Sequence, residues 1–93
     1  MNDEIVRGGE AARLLDSTIF QEAAQSVRDG LMAQMAKVPM KDSEMHTRLI
    51  LSLQLWDALE KHLKGIATTG KIVQFQVEQE AKQSKIREML RFR

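Results

Sequence analysis

His46 and His62 are the side chains best suited to metal binding or proton transfer in this chain, and they lie 16 residues apart. On one helix that spacing exceeds about four turns, so the pair cannot share a metal ion within a subunit, and both read as solvated or packed. Ser17, Ser43, Ser52 and Ser84 lie in no nucleophile-elbow context, and no carboxylate pair is set against an acid or base partner. The glycines of "RGGE" (residues 7 to 10) form neither a phosphate-cradling P-loop nor a GxGxxG turn. With no cysteine there is no thiolate metal site and no disulfide framework, which fits a reducing cytoplasm. Nothing calls for an enzyme or a cofactor, so function is expected in what the chain binds.

Its elements must therefore present a surface. At 93 residues the chain is read as one domain, residues 1 to 93, of a size that buries only about 60 to 65% of the surface its unfolded form exposes. A content of 43% hydrophobic and 29% charged residues fits a globular or oligomeric protein rather than a disordered one. The only aromatic residues are Phe20, Trp56, Phe75 and Phe92, so Leu, Ile, Val, Ala and Met must build the core. A net charge of +1 carries no polyanion signature for the whole chain. The N-terminal stretch lacks the pattern of a secretion signal, and no apolar run approaches the roughly 18 residues of a membrane span.

The periodicity predicts an all-α protein. Residues 3 to 15 form a first helical candidate with Ile5, Val6, Ala12, Leu14 and Leu15 on its apolar face, interrupted at Gly8 and Gly9. Since Gly costs about 1 kcal/mol relative to Ala in a helix, that helix is expected to begin only at Gly9 or Glu10. "DST" at 16 to 18 offers either Ser17 as N-cap or a Thr18 and Gln21 capping box. A second helix follows over about 18 to 38, with Phe20, Ala24, Val27, Leu31, Met35 and Val38 spaced by three and four; Gly30 within it marks a weak point or a close helix approach. Pro39 ends it, and the short connection implies an antiparallel return.

Asp42 or Ser43 caps a third helix over about 43 to 69. Leu49, Leu53, Trp56, Leu59, Leu63 and Ile66 form its main stripe, and Glu44 with Arg48, Asp57 with Lys61 and Glu60 with Lys64 are i,i+4 pairs. Met32, Met35, Met40 and Met45 cluster at the turn before it, as core filling or as an adaptable surface. Leu51 and Leu55 lie off that stripe, so a second apolar face needs cover, and self-association into a four-helix-like bundle is the expectation. "TTG" at 68 to 70 reads as a stop or hinge.

The following "GKIVQFQVEQE" alternates Val73, Phe75 and Val77 with polar residues, the period of a half-buried strand. No second strand candidate exists to pair with it, so a fourth helix over about 71 to 92 is preferred, with strand addition to a partner as the minor alternative. Val73 and Val77 then share one face and Phe75 lies on another. Residues 71 to 93 form a candidate protruding arm, with Phe75, Val77, Met89, Leu90 and Phe92 as apolar anchors and Arg87, Arg91 and Arg93 as a charged rim. From Lys82 onward five basic residues face one acidic residue, which offers either phosphate contacts or a favourable end to the helix dipole.

Three stretches taken together, "RGGEAARLLDSTIFQEAAQSVRDGL", "PMKDSEMHTRLILSLQLWDALEKHL" and "ATTGKI", resemble a group of short helical tailed-bacteriophage proteins encoded among virion-structure genes. The resemblance covers residues 7 to 72 and rests on helix-boundary signals; "ST" stands at Ser17 and Thr18 where an Asn-Pro cap is usual. It implies a non-enzymatic phage protein acting by protein contact, a minor virion component or assembly factor, found in the virion or host cytoplasm. The alternatives are a small phage effector that inhibits a host defence protein, and nucleic-acid binding through the basic arm.

Overall fold

The computed structural model describes residues 2–91. Three helices follow one another: α1 (Asp3–Asp16), α2 (Thr18–Lys37) and α3 (Ser43–Arg91). The described residues contain no strand.

α1 begins at Asp3, not at Gly9 or Glu10, because Asn2 caps it: the Asn2 side chain accepts from the Glu4 amide at 3.0 Å. Asp3 and Glu4 in the first turn suit the positive end of the dipole. One extended residue, Ser17, separates α1 from α2. Its amide donates to the Leu14 carbonyl at 3.1 Å, and its hydroxyl accepts from the Phe20 amide at 3.3 Å, so of the two expected caps it is Ser17 that starts α2. Gln21 instead reaches back to the Leu15 carbonyl at 3.0 Å, which ties the end of α1 to the start of α2.

At the other end of α2, Val38 is extended and Pro39 ends the helix. The turn is held by three bonds: Asp42 amide to Pro39 carbonyl at 2.9 Å, Met45 amide to the Asp42 carboxylate at 3.1 Å, and His46 Nε2 to the Pro39 carbonyl at 3.2 Å. Asp42 is thus the cap of α3, and His46 serves the turn. Met40 and Met45 are exposed there rather than packed, while Met35 is half-buried.

α1 and α2 run antiparallel to α3 along one side of it, as the arms of a hairpin whose first arm is broken at Ser17. The covered stripe of α3 is Leu49, Leu53, Trp56 and Glu60 towards α2, then Leu63, Ala67 and Gly70 towards α1. Leu59, expected in this stripe, is largely exposed, and so is Val27 of α2. Gly30 meets nothing within 4 Å and is no close-approach point.

The expected stop at 68 to 70 and the separate fourth helix are overturned, since α3 is continuous for 49 residues, about 73 Å at 1.5 Å per residue. Gly70 is neither hinge nor cap. It faces Gly8 at the crossing of α1 and α3, where a Cβ on Gly8 would lie 2.6 Å from the Gly70 Cα and one on Gly70 would lie 2.7 Å from the Gly8 Cα. Backbone meets backbone here, and Ala11 and Ala67 continue the contact as buried small residues. The face that α1 buries is therefore Gly8 and Ala11, whereas Val6 and Leu14 of the expected apolar face are exposed.

The result is a long object of 79 × 24 × 17 Å. Its radius of gyration is 21.8 Å, against about 12 Å for a compact domain of this length. The buried apolar side chains among the described residues are only Ala11, Ala24, Leu49 and Ala67. The Gly8–Gly70 crossing gives a paired test by denaturant unfolding. Gly8→Ala is expected to lose about 1–3 kcal/mol of stability by overpacking, whereas Gly30→Ala, in open space, is expected to gain about 0.5–1 kcal/mol. Equal responses at the two sites would remove the crossing as a constraint.

Candidate interaction surface

Beyond the point where α1 starts, α3 has no intramolecular neighbour. Apart from half-buried Gln79, every described residue from Gln74 to Arg91 is exposed. The segment is helical throughout, so the alternation of Val73, Phe75 and Val77 reflects two apolar faces of one helix rather than a strand. Val73 is half-buried beside the α1 contact, while Phe75 is 61% and Met89 73% exposed. Val77 and Leu90 are exposed as well, as are Arg87 and Arg91. Phe92 and Arg93, both named from the sequence, lie outside the described residues.

The arm's cations do not form one track. At about 100° per residue, Lys82 and Lys85 sit within about 60° of each other, and Arg87 and Arg91 lie roughly on the opposite side of the helix. A phosphate backbone lying along one face would reach one pair and miss the other. The arm's exposed apolar residues, by contrast, gather on one side: Ile72, Phe75, Ile86, Met89 and Leu90 fall within about 100° of one another, while Val77 lies on the opposite side with Arg87 and Arg91.

Charge is organised differently in the hairpin. Arg28 of α2 reaches both Asp57 and Glu60 of α3 at 2.9 Å. The hydrogen bond to Glu60, with the charges of Glu60 and Asp57 behind it, holds the guanidinium above its ordinary pKa. The expected i,i+4 pairs of Asp57 with Lys61 and Glu60 with Lys64 give way to this fork, because one guanidinium serves two carboxylates and also joins two helices. The Glu44 and Arg48 pair forms as expected, at 2.8 Å. Beside the fork, Phe20 stacks on Trp56 with ring centroids 6.5 Å apart. Trp56 Nε1 and Glu60 Oε1, a donor and an acceptor one turn apart, are buried there without a protein partner. The α2–α3 seam is thus less completely satisfied than the α1–α3 crossing.

Two open troughs run along α3. One, of about 640 Å³, lies against α2 and is walled by Val27, Leu31, Leu55 and Leu59. The other, of about 540 Å³, lies against α1 and is walled by Glu4, Arg7, Lys61 and Ile66. They share Ala58 and His62, so they form one continuous depression. Its floor is small side chains, with Ser52 at one end and Gly65 and Thr69 at the other. Leu51 and Leu55, the residues expected to self-associate, are 57% and 74% exposed on this side.

His62 faces that depression and His46 closes the turn, so the two histidines remain far apart. Among the described residues no three of His, Cys, Asp and Glu converge as a metal site, and no helix is long and apolar enough to cross a membrane. No protein-family model, curated protein or solved structure matches the chain.

Arg28 and the trough could not be read from periodicity, because the trough combines residues two apart on α3 with α1 and α2. The role of Arg28 is testable by a double-mutant cycle with Glu60. Arg28→Gln and Glu60→Gln should each lower the melting temperature, and the double variant should lose clearly less than the sum. Additive losses would mean that the fork contributes no coupling.

Proposed function

We propose that this chain is a non-enzymatic protein that works by protein-protein contact through the bare half of α3. The observation that carries the reading is the preformed arm, on which large apolar side chains stand exposed beside arginines with no intramolecular cover. Isolated exposed apolar residues are ordinary, but a rigid helix that carries five of them on one side, from Ile72 to Leu90, is what helix-in-groove recognition uses. Arg and large apolar residues are also the types that dominate interface energies.

The setting we propose follows from the resemblance to tailed-phage proteins encoded among virion genes. In that setting the chain is a minor virion component or assembly factor, and its partner is a phage structural protein. The partner site is Phe75, Val77, Met89 and Leu90 with Arg87 and Arg91, extended by Phe92 and Arg93. Inhibition of a host defence protein would use the same scaffold and the same arm. The divided placement of the cations favours either protein reading over nucleic acid.

The test is mass spectrometry of purified phage particles and of assembling intermediates. The chain is expected in one of them, and Val77→Asp should lower its recovery there by roughly tenfold, the effect of losing an anchor worth more than about 1.4 kcal/mol, with helix content unchanged. Absence from both preparations would overturn the virion reading, and a stoichiometric complex with a host protein would replace it with the inhibitor reading.

A further inference from the structure

α3 carries two stripes with the same spacing. The covered stripe steps by four and three residues from Leu49 to Gly70, and every member is buried or half-buried. Two residues on from each member stands an exposed one: Leu51, Leu55 and Ala58, then His62, Gly65, Thr69 and Ile72. Two residues turn a helix by about 200°, so this second stripe lies on the far side of α3 from the first, with side chains of α1 and α2 reaching only its edge, where they wall the troughs. It continues with unbroken four-and-three spacing through Gln76, Gln79 and Gln83 to Ile86 and Leu90. Its apolar members are Leu51, Leu55, Ala58, Ile72, Ile86 and Leu90, with His62, Gly65, Thr69 and the three glutamines between them, so the stripe has coiled-coil spacing with apolar ends and a largely polar or small middle.

We infer that a second copy of this chain covers that stripe, with the two α3 helices antiparallel. The inference deepens the protein-contact reading by naming one partner. Setting Leu51 opposite Leu90 of the second copy maps the stripe onto itself. Leu55 then meets Ile86, Ala58 meets Gln83, and His62 meets Gln79. Gly65 meets Gln76 and Thr69 meets Ile72, next to the two-fold axis. Each small residue of the trough floor receives a long side chain, while leucine and isoleucine close both ends. A parallel pair would instead place Gly65 on Gly65 and Ala58 on Ala58, leaving voids, and would stack three glutamine layers on themselves.

Length and charge agree with this arrangement. The trough floor from Ser52 to Thr69 and the bare arm from Gln74 to Arg91 both span 17 residue steps, about 25 Å. From Lys82 to Arg91 the arm carries four basic residues and one acidic. Parallel pairing would hold two such ends together, whereas antiparallel pairing keeps them apart. Area agrees too. The chain exposes 7790 Å², against about 5,500 Å² for a compact monomer of its mass, and the excess is well above the roughly 800 Å² per partner that a stable interface buries.

The natural chain has no cysteine, so a disulfide can report the register. Light scattering of the purified full chain should give twice 10.6 kDa. Under mild oxidation the variant with both Leu51→Cys and Leu90→Cys should convert most of its monomer band to a covalent dimer, and either single variant should not. An internal disulfide cannot form in its place, because the two sites are about 58 Å apart on one helix. A 10.6 kDa particle at all soluble concentrations would overturn the pairing, and self-crosslinking of a single variant would overturn the antiparallel register. Either failure concerns the purified chain alone and leaves the particle assay with Val77→Asp to decide the wider reading separately.

Discussion

Where two helices meet through glycine on both sides, their backbones can approach more closely than any pair of side chains allows, and the position of that meeting fixes everything downstream of it. Here the meeting is Gly8 on Gly70. It brings the Glu4 carbonyl and the Ile66 carbonyl closer than van der Waals contact to where side chains on Gly70 and Gly8 would begin, at 2.9 and 3.1 Å from the hypothetical Cβ atoms. Because α1 must cross α3 at this point, the first turns of α1 lie beside Gly70. The 21 residues of α3 from Lys71 to Arg91 are then left to find other company. The contact also sets the character of the core. Close-packed glycine and alanine gain dispersion energy over many short contacts, but they remove little apolar area from water.

That trade explains the shape. A chain whose buried apolar set among the described residues is three alanines and one leucine gains less from hydrophobic burial than a compact domain does. Its leucines, isoleucines and methionines are placed along the length of a 49-residue helix. One face of that helix is occupied by the first two helices, and the opposite face repeats the same spacing without cover. A helix with apolar side chains on two faces is suited to stand between two layers, and α1 and α2 supply one of them.

Much of this was legible in the sequence, and the failures have one cause. Ser17 and Asp42 each stood as one of two candidate caps, Pro39 announced its turn, and the stripe from Leu49 to Ile66 its helix, because each signal acts within a few residues. Leu51 and Leu55 were visible as surplus to one face. The glycines misled, because Gly8 and Gly9 were weighed by a local helix cost of about 1 kcal/mol and Gly70 as a helix stop, weak priors that packing between helices routinely overrides. Nothing local distinguishes a glycine that breaks a helix from one that lets another helix touch it. Gly30, which does neither, looks the same in sequence. Arg28 was hidden for a related reason: Asp57 and Glu60 each have a lysine four residues on, and only the tertiary fold shows that α2 brings a better partner to both.

Continuity through Gly70 also changes what the arm is. Eighteen residues cut loose from the rest would be near the lower limit for a stable helix in water, because the first turn costs more than it returns. Grown from a helix already locked by α1, the same residues need only propagation, and each added residue closes one more hydrogen bond. The arm is therefore ordered before it meets anything. A partner that docks on it meets side chains whose backbone is already fixed, so less conformational entropy is lost on binding than for a segment that folds on contact. The rigidity has a directional consequence too. Side chains on a preformed helix keep their angular separation, so Val77 and the arginines on one side cannot swing round to serve the face that holds Ile86 and Leu90. The arm thus presents two sides of different chemistry, Val77 with Arg87 and Arg91 on one and Phe75, Ile86, Met89 and Leu90 on the other.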